Sequence, residues 1–102
     1  MPIVVDMSSD IGTTNVPWDK ISVAFMGAQK NLGTSGCGVV VVREDLLGSA
    51  DQDTPALCDW KLFEDSPDSY YNTPGVFSIY VTGLNVAFMN EQGGLEFYEH
   101  MA

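Results

Sequence analysis

Apolar positions along the chain come first in short unbroken runs and later at helical spacing. Residues 2–6, PIVVD, form a β-branched apolar run that ends on a carboxylate. That is the pattern of a buried parallel strand delivering a polar residue at its C-terminal end. ISVAFMG at 21–27 predicts a second buried strand closed by Gly27, and VVVVR at 39–43 predicts a third. A polar, turn-rich stretch, 7–20, separates the first two. AQKNLGTSGCG, 28–38, separates the others, and its Gly33, Gly36 and Gly38 permit tight turns and close backbone approach.

The second half reads differently. EDLLGSA predicts a short helix with acidic residues in its first turn, and ALCDWKLF, 56–63, is a candidate strand between two loops. Asn72, Thr73 and Pro74 predict a helix cap with a proline in the first turn. In the helix that follows, 76–92, Phe77, Tyr80, Val81, Leu84 and Phe88 share one apolar face, and Val76, Ile79 and Ala87 form a second. Such a helix is expected to be covered on more than one side. Gly93 and Gly94 stop it, and LEFYEHMA begins another helix. Alternating strands and helices imply an α/β layer structure. Three or four parallel strands need more covering helices than this chain holds, so it is expected to be a piece of a larger domain.

Length and composition narrow the picture. A chain of 102 residues has room for one compact unit, and 45% hydrophobic with 11% aromatic residues marks a folded protein rather than an acidic disordered tail. Fourteen acidic against four basic residues give a net charge of −10, which repels phosphate backbones and anionic lipid headgroups. Nucleic acid and membrane are therefore not expected partners. With no leader pattern and no apolar run near the roughly 20 residues of a membrane span, a cytoplasmic location is expected. Cys37, Cys58 and the single His100 form neither a CxxC pair nor a metal-ligand cluster, so no metal is expected. The order G-x-x-G-x-G in GTSGCG leads into a strand, whereas a dinucleotide fingerprint leads out of one.

Lys30 is the conspicuous charge. It follows an apolar run, beside Gly27 and Ala28, in a chain with only four basic residues. A lysine in a loop is ordinarily a solvated charge. Held among small and apolar neighbours it loses hydration, which favours the neutral amine, a nucleophile able to form a Schiff base. Asp6 ends a neighbouring candidate strand, so both side chains can converge on one sheet edge, where ligands of open α/β sheets bind. A Schiff-base lysine with a carboxylate for a pyridinium nitrogen is the pairing of pyridoxal phosphate chemistry. The alternative for Asp6 is a helix or turn cap. Asn72 and Thr73 are by default a plain helix cap, although a helix N-terminus with two polar side chains can also hold a phosphate.

The strings DMSSD, GAQKNLG, VVVVREDLLG and YNTPGVFSIYVTGL, in this order and spacing, closely resemble the phosphoserine aminotransferase family. The likeness covers essentially the whole chain. It implies part of the three-layer αβα large domain of the pyridoxal-phosphate-dependent transferase fold, with an incomplete sheet, residues 1–102 being a fragment of that domain and no small domain present. By this resemblance Lys30 forms the Schiff base and shuttles the substrate proton, Asp6 keeps the pyridine nitrogen protonated, and Gln29 lines the cofactor pocket. Asn72 and Thr73 contact the cofactor phosphate of the partner subunit in a homodimer. The implied reaction moves an amino group from L-glutamate to 3-phosphohydroxypyruvate, giving O-phospho-L-serine for serine biosynthesis. The ring-stacking residue and the arginines that bind substrate anions fall outside these residues, so the chain alone is expected to be inactive. The competing expectation is a truncated, non-catalytic copy that at most binds cofactor or dimerises.

Overall fold

The computed structural model describes residues 1–101. They fall into two compact units, 1–41 together with 75–101, and 42–74, where length alone predicts one.

A three-stranded sheet of order β1-β2-β3 is formed by Val4–Asp6, Val23–Gly27 and Gly38–Val42, all but the last residue within the first unit. β1 and β2 are parallel, with Val4 opposite Val23, Val5 opposite Ala24 and Asp6 opposite Phe25. β3 corrects the expectation of a third parallel strand. The Ala28 amide bonds the Cys37 carbonyl at 3.0 Å, and Gly38 lies beside the Met26 carbonyl. The end of β2 therefore meets the start of β3, and the two run in opposite directions. The reason is length: the link 28–37 is shorter than the dozen or so residues that a parallel crossover requires.

Burial follows sheet position. Central β2 carries buried Val23, Ala24 and Met26, and a small core forms where Met7, Ala24 and Met26 meet Val5, Ile11, Val16, Ile21, Leu32 and Val39. The edge strands are not the buried runs their sequences predict: Val4, Val40 and Val41 are exposed. Each has a strand neighbour on one side only.

The long helix, Val76–Glu91, is present, and Leu95 falls within a further helix, Gly94–Met101. Numbered in chain order these are α2 and α3, and they pack together. The cap differs from expectation. Gly75 is the N-cap and no side chain bonds the free N–H groups. Pro74 lies two residues ahead of the first helical residue, and proline pushes the residue before it, Thr73, away from helical geometry. The apolar faces of α2 are mostly open: Phe77, Tyr80, Leu84 and Phe88 are exposed, and Thr82 is the buried residue of the helix.

In the second unit, 44–50 gives only a single 3-10 turn, Glu44–Leu46. The candidate strand 56–63 is instead a 3-10 turn, Ala56–Cys58, followed by the short helix α1, Trp60–Glu64. Asp59 decides this locally, because its carboxylate accepts the Lys61 amide at 3.0 Å as an N-cap. Phe63 packs against Tyr71 with ring centroids 5.6 Å apart.

Candidate active site

Parallel pairing of β1 with β2 brings the two strand ends to one edge of the sheet. Asp6 is the last residue of β1, and Lys30 follows the end of β2 by three positions. The convergence expected from their spacing is present. The Asp6 carboxylate oxygen Oδ1 accepts the Ser8 amide at 3.0 Å and the Ser8 hydroxyl at 2.7 Å. Ser8 Oγ in turn accepts the Gly27 amide at 3.0 Å, which ties this turn to the end of β2. Lys30 Nζ donates to Ser9 Oγ at 2.9 Å. Two adjacent serines thus link the carboxylate and the amine.

These bonds set the charge state of Asp6. The hydroxyl and then the amide of Ser8 hold its carboxyl below the usual aspartate range, against an opposing desolvation and with a smaller contribution from the nearby Lys30 charge. Asp6 is therefore a preformed anion.

Lys30 itself is exposed. The apolar surroundings expected for it are not provided by these residues: Ala28 is fully buried, but the amine is turned toward the Ser9 hydroxyl. Gln29 is also exposed and folds back over Gly27, where a Cβ would meet its amide nitrogen at 2.8 Å. Asn31 Nδ2 donates to the carbonyls of Ser9 and Ile11 at 2.9 and 3.0 Å, fastening the two loops of the edge together. Asn72 and Thr73 are exposed residues of the second unit.

Ser8, Ser9 and Asn31 were not singled out from the sequence. The available signal was Asp-x-Ser, a spacing at which a carboxylate bonds the backbone two residues on.

An ionised carboxylate and a primary amine on one open edge fit a pyridinium aldehyde cofactor, one group for the ring nitrogen and one for the carbonyl carbon. Comparison with known proteins agrees. The family model for class-V aminotransferases matches residues 1–102. The chain belongs to that family. Among curated relatives, the phosphoserine aminotransferase of Stutzerimonas stutzeri is 48% identical over 96% of this chain and 27% of its own length. A solved phosphoserine aminotransferase from Bacillus circulans subsp. alkalophilus superposes with a TM-score of 0.88 at 37% identity, covering 98% of this chain and 27% of that one. The pyridoxal-phosphate-bound enzyme from Trichomonas vaginalis gives 0.87 at 31% identity, over 98% and 28%. The chain therefore spans just over a quarter of the length of these relatives. The resemblance read from DMSSD, GAQKNLG and YNTP, and the partial α/β domain it implied, are both borne out.

Proposed function

We propose that this chain is the Schiff-base segment, residues 1–102, of the large domain of a phosphoserine aminotransferase. In this reading the complete protein transfers an amino group from L-glutamate to 3-phosphohydroxypyruvate with pyridoxal 5'-phosphate as cofactor, as a cytoplasmic homodimer. The observation that carries it is the Asp6–Ser8 and Ser9–Lys30 arrangement on the β1/β2 edge.

The bound cofactor would supply an electron sink for the pair left when the substrate Cα–H bond breaks. Asp6, held as an anion by Ser8, stabilises a proton on the ring nitrogen, which keeps that sink effective. Lys30 Nζ would hold the cofactor through its carbonyl carbon and, as a free amine, would serve as the base for the substrate Cα proton. Gln29 lines the pocket. Asn72 and Thr73 bind the phosphate in the partner subunit's site. The chain alone has one arginine, Arg43, which its Asp45 partner occupies, so substrate anions are bound by residues outside it and the isolated chain gives no turnover.

Borohydride reduction of the cofactor-loaded protein followed by peptide mapping tests the assignment. A pyridoxyl group is expected on Lys30, and a label on Lys20 or Lys61 overturns it.

A further inference from the structure

We infer that Asn85 is a positioning residue for Lys30, an inference that rests on the Lys30 assignment proposed above. Asn85 lies in the middle of α2, where asparagine is a poor helix former because its side chain competes for backbone groups. Here that side chain has its two oxygen acceptors outside its own helix, beside a longer 3.7 Å contact to Met89 Sδ within it. Nδ2 donates to the carbonyls of Asn31 and Leu32, at 3.1 and 2.8 Å, the two residues that follow Lys30.

The contact is part of a longer seam. Ser78 Oγ donates to the Ser35 carbonyl at 2.8 Å, and Gly33 lies so close to Thr82 that a Cβ would sit 2.8 Å from the Thr82 Cα. Residues 78, 82 and 85 thus form one polar strip on a mainly apolar helix, laid along the lysine loop. On its other side the same loop is held by Asn31, whose amide reaches the carbonyls of Ser9 and Ile11. Ser9 is also the hydroxyl that accepts Lys30 Nζ. The backbone on the C-terminal side of Lys30 is therefore fixed by Asn85, and its amine is oriented by a turn that the same loop secures. A shift of about 1 Å in such a group is enough to cost on the order of a hundredfold in rate.

Two variants test this in the complete, cofactor-loaded protein, since residues 1–102 alone give no turnover. Asn85→Asp keeps the shape and loses both donors, and Asn85→Leu suits the apolar helix and loses them without adding charge. Both are expected to lower kcat by about ten- to a hundredfold with KM changed by less than about twofold, since substrate contacts are untouched. The pH dependence of the bound cofactor's absorption is expected to shift. In the cofactor-free protein, hydrogen exchange at the Gly33 amide, which bonds the Ala28 carbonyl at 2.7 Å, is expected to speed up. Wild-type values for absorption, exchange and kcat, with only thermal stability lowered, overturn the inference. So does failure of both variants to fold, which makes Asn85 a purely structural residue. A wild-type label on Lys20 or Lys61 overturns the Lys30 assignment itself; a label on Lys30 with unchanged variants overturns Asn85 alone.

Discussion

Ser8 bonds Asp6 twice, through its amide at 3.0 Å and its hydroxyl at 2.7 Å. The pair makes the charge of Asp6 a local property of the turn after β1. Because the folded pKa of Asp6 is lowered, its contribution to stability is complete above the ordinary aspartate pKa and is lost as pH falls through the lower folded value. Ser8→Ala removes the largest cause and leaves the backbone bond. The Asp6 carboxyl carbon, followed by NMR, should then titrate at higher pH than in the wild type. An unmoved midpoint would show that the hydroxyl does not set the charge.

Asp6→Asn separates charge from geometry. The amide oxygen of asparagine still accepts the Ser8 N–H, because asparagine forms the same local turn as aspartate. The turn should survive with the anion gone. In the proposed reaction this removes a preorganised electrostatic partner, so kcat should drop roughly 10²- to 10³-fold while the melting temperature changes little. Steady-state kinetics beside a thermal melt checks both halves, and activity near wild type would remove Asp6 from the site.

How far the sequence reveals this site depends on the range of the interactions. The strand runs PIVVD and ISVAFMG and the helix 76–92 were legible because their signals are local: β-branched runs and helical periodicity. Convergence of Asp6 with Lys30 followed from the parallel pairing that such runs favour. Three features were not legible. β3 carries the same valine run as a buried parallel strand, so the run itself does not show the reversal. ALCDWKLF has apolar residues suited to a strand, but the Asp59 cap outweighs them. Asn85 offers no signal of its own along the chain, because its partners lie 53 and 54 positions away, beyond any local pattern.

The Arg43–Asp45 pair has good geometry and little energetic consequence. Nε to Oδ1 is 2.5 Å and the second nitrogen reaches Oδ2 at 3.0 Å, and the pairing raises the pKa of Arg43 and lowers that of Asp45. Both side chains are more than half exposed, at 53% and 63%, so water and salt screen the attraction. Asp45→Asn should leave the melting temperature unchanged within error at physiological ionic strength. A clear drop that persists in high salt would show that the pair holds the chain as it leaves β3.

Gly33 is the position where the loop and α2 come closest. A Cβ there would lie 2.8 Å from the Thr82 Cα and closer still to its hydroxyl. The obstacle includes backbone, so no rotamer change relieves it. Gly33→Ala should therefore destabilise the fold by about 1–3 kcal/mol, the usual cost of overpacking, read from denaturant midpoints. Thr82→Ala in the same chain removes the hydroxyl that bonds the Ser78 carbonyl at 2.8 Å but leaves the Cα in place. The double variant should recover only part of the loss. Full recovery would mean that the side chain alone sets the spacing, and that the backbone of the lysine loop has room to move against the helix.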